Sequence, residues 1–300
     1  MNEIAESSAP PFNPYFALVS GVLAVSTGAI FARLADAPAL VIAAYRVGLA
    51  TVILAPFAWW KARDELRSLS TRDLRLAMLS GLFLALHFAT WISSLDYTSV
   101  TNSVVLVNTN PLWVGLFTPL ITRDRIRTAT VISIMISVAG GAVIGAGDFA
   151  TGGKALFGDF LALMGSICAA VYLLLGRNLR HKLSLLSYVI VCYGSAAIFL
   201  WMTVISLNMQ ITGFGSKTVM SFWAMAIITQ IIGHSSYNWA LKWFTTSLIA
   251  VSLLGEPIGA TILAYIIFGE GLTWTKVVGG SLILSAIYLA ASTEGKSRSA

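Results

Sequence analysis

The chain has 300 residues, 57% hydrophobic and 11% charged, with a formal net charge of +6 and a mean hydropathy of +0.82. Globular domains in water carry about 25% charged residues, so this composition excludes an ordinary soluble enzyme or binding module and indicates a polytopic, all-α membrane protein. The basic balance could suit nucleic acid, but its distribution along the chain gives it another meaning.

The first residues, 1–13, hold two acids and no Lys or Arg, so they lack the basic start of a signal peptide and read as a tail before a retained span. Apolar runs of about 20 residues follow, the length a helix needs to cross a hydrocarbon core of ~30 Å. In chain order the predicted helices are 14–34, 38–60, 74–96, 99–121, 128–147, 158–178, 184–207, 218–240, 245–268 and 273–292. Residues 294–300 form a second tail. The connections are too short for a soluble domain. Cys168 and Cys192 lie inside apolar runs at no metal-ligand spacing and read as small core residues.

Ten spans divide the basic residues unevenly. On the side of the N-terminus stand Lys61, Arg63, Arg67, Arg72, Arg75, Arg123, Arg125, Arg127, Arg177, Arg180, Lys182, Lys242, Lys296 and Arg298. The other side has Arg33, Lys154, Lys217 and Lys276. The positive-inside rule therefore places both termini in the cytoplasm. The net charge is an orientation signal, and no case for a nucleic-acid partner remains.

The chain also repeats itself. Ser20 and Ala24 recur as Ser166 and Ala170, Pro111 recurs as Pro257, and Asp124 recurs as Glu270. His87 has a near counterpart in His234. Each half, 14–147 and 158–293, holds five predicted helices. Five is odd, so the second copy must thread the membrane in the opposite direction. Inverted repeats of this kind characterise secondary transporters.

TWISSLDYTSVTNSVVLVNTNPLWVGLFTPLI (90–121) and NWALKWFTTSLIAVSLLGEPIGATILAYIIFGE (238–270) share a pattern: small polar residues, a helix-borne Pro, an apolar run and an acid at the loop. With two five-helix halves, this resembles the drug/metabolite transporter superfamily. It is most similar to EamA-type members, the group that includes the YddG-type amino-acid exporters. The resemblance covers about residues 14–293. It implies ten helices around a central cavity, alternating access, an inner (plasma) membrane location, and export of amino acids or other small metabolites. The chain departs from symmetry at Asn110-Pro111 against Glu256-Pro257.

Polar groups inside spans are expensive and face a bundle interior or a wet cavity. Cavity candidates are His87, Trp91, Asn102, Asn108, Thr109, Asn110, His234, Tyr237, Asn238 and Glu256. Asn102, Thr109 and Trp113 fall near one stripe of the fourth helix, flanked by Asn108 and Asn110. His234 and Asn238 share a face at a spacing of four. Glu256, the one carboxylate well inside a span, has two readings: a proton carrier, or an acceptor for backbone groups freed beside the proline. Arg46 needs Glu256, helix carbonyls or a bound carboxylate as partner, unless it snorkels. Pro111 and Pro257 are expected bend points.

No HExxH, GxSxG or Walker sequence occurs, and no metal or cofactor is expected. The reading is a secondary transporter and not an enzyme, exporting aromatic or neutral amino acids. Nucleobases and drug-like amphipathic compounds stay open as substrates, and an intramembrane enzyme or channel as the remaining class. The expected partners are a small-molecule substrate, the lipid bilayer and protons. Oligomeric state is not legible.

Overall fold

The computed structural model describes residues 13–122, 128–151, 153–240, 242–243, 252–253 and 255–296. The basic residues Arg123, Arg125 and Arg127, the acid Asp124, the outermost parts of both tails and the beginning of the expected ninth helix lie outside the described residues. Among the described residues there is no strand.

Ten helical rods account for the helices among the described residues. The first is Pro14–Ser26 followed by Gly28–Leu34, interrupted at Thr27, whose hydroxyl donates to the Ala24 carbonyl at 2.6 Å. Ala39–Lys61 is the second rod, and the short helix Arg63–Arg67 links it to the third, Thr71–Ser94. The fourth is broken into Val100–Val107 and Asn110–Thr122. Thr128–Thr151, Lys154–Arg180 and Leu185–Ser206 are the fifth, sixth and seventh. The eighth runs through Ser216–Ala224, a π-helical stretch Met225–His234, and Ser235–Ala240. Gly255–Phe268 carries the ninth and Trp274–Lys296 is the tenth.

Local chemistry sets several of these boundaries. Asn13 caps the first rod through a bond from the Tyr15 amide at 3.0 Å, with Pro14 at the first helical position. Ser70, Ser99 and Ser184 cap the third, fourth and seventh rods in the same way, each accepting from the amide three residues on. Gly269, at φ 66°, ends the ninth helix. Its amide returns to the Tyr265 carbonyl at 3.1 Å, which turns the chain so that Glu270 faces back over the bundle.

Packing displays the twofold relation between halves. The third rod packs on the sixth, and the eighth packs on the first; the fourth packs on the sixth, and the ninth on the first. The second and seventh rods pair with each other, as do the fifth and tenth. Exchanging the halves therefore maps each contact onto another. The opening rod of each half lies against the other half, which ties the repeats into one bundle.

Close crossings use glycine. A Cβ on Gly140 would stand 2.7 Å from the Gly279 carbonyl, and one on Gly279 would stand 2.6 Å from the Gly140 carbonyl. The outer surface is apolar: Val52, Val138, Met202 and Ile266 are all more than 60% exposed. A surface of that kind suits lipid rather than water. Five rods, among them Tyr15–Leu34 at 20 residues, are each long and apolar enough to cross a bilayer. Trp59, Trp60 and Trp274 are exposed near rod ends, where indoles anchor at the interface.

Candidate functional site

The central cavity forms where the fourth rod breaks and the ninth helix starts. His87 and Trp91 come from the third rod, Val107, Asn108 and Asn110 from the fourth, and Ala169, Tyr172 and Leu173 from the sixth. His234 and Tyr237 come from the eighth, and Leu253 and Glu256 from the ninth. Its volume is about 60 Å³, room for roughly two waters at ~30 Å³ each. Small-molecule sites occupy roughly 300–1,000 Å³, so the centre is too narrow for a metabolite in this conformation.

Aromatic rings make one wall. His87 and Trp91 stack with centroids 5.9 Å apart and planes 7° from parallel. His234 stands 6.4 Å from His87 and 6.4 Å from Tyr237. His87 Nδ1 lies 2.9 Å from the Gly165 carbonyl. A carbonyl only accepts, so Nδ1 carries the proton in that bond and Nε2 is left as the ring's other polar atom. Glu256 is half-buried, in the first turn of its helix, with the Asn108 side chain beside its carboxylate.

Arg46 lies behind this wall and is only 1% exposed. Its Nε donates to Gln230 Oε1 at 2.8 Å. The guanidinium carbon is 4.0 Å from the Phe88 ring centre and 5.7 Å from that of Trp91. The contact ion pairs among the described residues are Arg33–Glu270 and Lys182–Asp73. Arg46 and Glu256 therefore interact through space without touching.

Seven of the predicted residues line the cavity: His87, Trp91, Asn108, Asn110, His234, Tyr237 and Glu256. Three sit elsewhere. Asn102 is buried in the helix before the break, its amide capped by Ser99. The break at residues 108–109 shifts the phase of the rod, so Thr109 turns away, sharing a 2.9 Å bond with Ser166. Trp113 Nε1 donates to Thr109 at 3.3 Å, and both line a lateral, mostly apolar cavity of about 460 Å³ between the fourth, fifth and sixth rods. Asn238 lies past the change from π to α geometry, and its side chain is engaged by the sixth and seventh rods. It bonds Tyr172 at 2.7 Å and Tyr193 at 3.3 Å. Pro111 is the second residue of Asn110–Thr122 and Pro257 the third of Gly255–Phe268. First-turn prolines forfeit no helical bond there.

Polar contacts tie the two halves together toward each face of the bundle. At the less basic face, Arg33 stands 3.7 Å from Glu270 and donates to the Thr98 carbonyl at 3.3 Å. Glu270 accepts from the Val100 amide at 3.2 Å, and Thr98 donates to Asp159 at 2.9 Å. At the basic face, Arg180 donates to the Asn238 and Leu183 carbonyls, and Lys182 pairs with Asp73 at 3.3 Å. Glu65 accepts from the Ser184 amide at 2.7 Å and from the Ser184 and Ser187 hydroxyls. Partial burial alone would raise the Glu65 carboxyl, but these bonds and the Arg180 charge outweigh it and hold it below the usual glutamate range.

The EamA-like transporter family matches the chain twice, over residues 13–146 and 156–292, one match for each half. The chain belongs to the EamA-like transporter family. A transporter of Archaeoglobus fulgidus described as uncharacterized is 24% identical over 252 residues, covering 83% of this chain and 86% of the relative. The Bacillus subtilis uncharacterized transporters YyaM and YetK are 26% and 25% identical, covering 83% and 93% of this chain and 83% and 91% of theirs. One crystal structure superposes with a TM-score of 0.66 at 17% identity, over 94% of this chain and 98% of that one; it speaks to the fold alone.

Sequence reasoning missed several parts of this EamA-like transporter's centre. Ala169, Tyr172 and Leu173 of the sixth rod were available as a face at spacings of three and four. Gln230, four residues before His234, was legible as a polar group inside an apolar run. Phe88 carried no signal, because an aromatic in a span reads as packing until the guanidinium above it is seen.

Proposed function

We propose that this family member is a secondary transporter that exports small metabolites, foremost aromatic or neutral amino acids, by alternating access. The observation that carries this reading is the small polar and aromatic cavity where both repeat copies meet. Toward each face a separate set of polar contacts ties the two halves together. A carrier needs such a centre: each closure opens in turn while the other holds, and the pseudo-symmetry makes the two open states related. The rings of His87, Trp91, His234 and Tyr237 offer stacking surfaces for an aromatic or apolar side chain, and Glu256 and the Asn108 and Asn110 amides offer polar contacts. In this reading the protein lies in the plasma membrane with the basic face and both termini in the cytoplasm. Protons are the coupling ion, carried by Glu256.

A second reading, transport of drug-like amphipathic compounds, is favoured by the lateral cavity. Its volume of about 460 Å³ and its walls of Leu106, Leu112, Val138 and Phe160 would admit an apolar body from the lipid side. Counterflow in proteoliposomes tests the proposal. A carrier preloaded with its substrate accelerates entry of the labelled compound. A channel gives no counterflow, and an enzyme consumes the compound; either result sinks the carrier reading.

A further inference from the structure

Resting on the carrier reading above, we infer that the centre binds its substrate as a zwitterion, with the α-carboxylate on the Arg46 side and the ammonium at Glu256. Two buried donor groups on this side, Arg46 Nη1 and Trp91 Nε1, have no hydrogen-bond partner among the described residues, and the Tyr237 hydroxyl, on the Glu256 side, has none either. Arg46 is 1%, Trp91 3% and Tyr237 6% exposed, so solvent does not satisfy them. One acceptor of the cavity lining, Asn110 Oδ1, is in the same condition. A centre with donors in excess calls for an acceptor-rich group, and a carboxylate supplies two oxygens without adding a donor.

The backbone points the same way. Asn110–Thr122 and Gly255–Phe268, of 13 and 14 residues, both begin at the cavity. Such starts offer the positive end of the helix dipole, and broken helices in transporters turn these ends toward anionic groups. Gln230 occupies Arg46 Nε alone. Nη1 lies 3.8 Å from where a Gly28 Cβ would stand, and Trp91 Cη2 lies 3.3 Å from it. The missing side chain at Gly28 thus lets the first rod pack closely on the guanidinium and indole edges without supplying a polar partner. Arg46 stands behind Trp91, and the cavity of about 60 Å³ must widen before any amino acid fits. Widening by displacement of the Trp91 ring exposes the guanidinium to the same space.

Glu256 supplies the opposite pole. It lines the cavity without touching Arg46, so a zwitterion placed between them satisfies both charges at once. A plain amine would leave the Arg46 side unfilled, and a plain carboxylic acid would face Glu256 with no cation between. The cavity's His87 and His234 face the same space and are flanked by rings, so the side chain fits against them.

The test compares matched compounds on the unaltered protein, so it does not depend on a variant folding. Proteoliposome counterflow is measured with L-phenylalanine, L-tryptophan, L-tyrosine, L-leucine and L-methionine, with each decarboxylated amine, and with uracil and adenine. At least one amino acid should exchange, and its amine should exchange about tenfold less or worse, the factor a single charge-assisted hydrogen bond supplies. R46Q should erase that preference, and R46K should retain part of it. An amine or nucleobase carried while the amino acids are not, an amine carried as well as its amino acid, or an R46Q protein that keeps the preference overturns the zwitterion site and leaves the carrier reading standing. No counterflow with any compound overturns the carrier reading, and the site with it.

Discussion

Arg46 Nε donates to Gln230 Oε1 at 2.8 Å, joining the second rod to the π-helical stretch of the eighth inside the bundle. A buried guanidinium costs several kcal/mol in lost hydration. That cost is offset here by this bond and by the Phe88 ring at 4.0 Å, a cation–π contact of ~2 kcal/mol when desolvated. Gln230→Leu should therefore destabilise the protein by about 3 kcal/mol, the usual penalty for stripping a partner from a buried charge. The double variant R46M/Q230L should recover most of that loss. Thermal unfolding of the purified proteins in one detergent measures both, and additive losses would show that the two residues are not coupled.

Neighbouring glycines should behave differently. Gly140 faces the Gly279 carbonyl, which a Cβ would approach to 2.7 Å, whereas a Cβ on Gly141 would meet only Leu106 Cδ2 at 4.0 Å. Gly140→Ala should cost about 1–3 kcal/mol through overpacking. Gly141→Ala should be neutral or slightly stabilising, since alanine favours a helix over glycine by ~1 kcal/mol. The folded, monodisperse fraction after heating distinguishes the two.

The contrast also shows how far the sequence can be read. Hydropathy, loop charge and the odd number of helices per half were enough for the rods and for the two-copy architecture that the family match follows. Gly140 and Gly141 look alike in the sequence, yet only Gly140 is a crossing point. Choosing between adjacent glycines needs the partner helix. The same limit applied at the centre. A helical stripe assumes an unbroken phase, and the fourth rod breaks at residues 108–109 while the eighth changes to π geometry from Met225 to His234. Neither departure is visible in a helical stripe, and Thr109 and Asn238 are engaged by Ser166, Tyr172 and Tyr193 on the sixth and seventh rods.

Acidification should loosen the basic face. Glu65 is held below the usual glutamate range by Ser184 and Ser187, against a burial effect of opposite sign. A carboxyl whose folded value is depressed contributes stability that is complete above its unfolded value, ~4.3. That contribution fades as pH falls through the lower, folded value. Protease cleavage in the connection between the second and third rods should therefore rise below about pH 4. Glu65→Gln should show the raised cleavage already at pH 7, with little further change on acidification.

The opposite face depends on Glu270, which meets both the Arg33 guanidinium at 3.7 Å and the Val100 amide at 3.2 Å. Arg33 is 37% exposed, so the ion pair by itself contributes little to stability. Its effect should appear in the balance between closed and open forms. In a protein with Cys168 and Cys192 replaced by Ala, a cysteine at Ala169 reports on the central cavity. Glu270→Gln should speed its reaction with a membrane-impermeant maleimide added at that face by about fivefold, the shift ~1 kcal/mol of coupling produces. An unchanged rate would show that Glu270 does not hold the closure.

Glu256 decides whether protons drive the cycle. It is the one carboxylate lining the central cavity, and its backbone carbonyl is already engaged by the Ser26 hydroxyl at 3.5 Å. The side chain stands beside that of Asn108 in the cavity lining, where it can exchange a proton with whichever face is open. If it does, a pH difference of one unit supplies ~1.4 kcal/mol per proton, enough for about tenfold accumulation of substrate. Glu256→Gln should abolish that accumulation and flatten the pH dependence of net transport. Substrate exchange at equal pH should persist wherever binding survives. Measuring both in the same vesicles separates coupling from binding. Accumulation that persists in the Gln variant, with an unaltered pH profile, would assign Glu256 to binding alone and require the driving force to come from the substrate gradient.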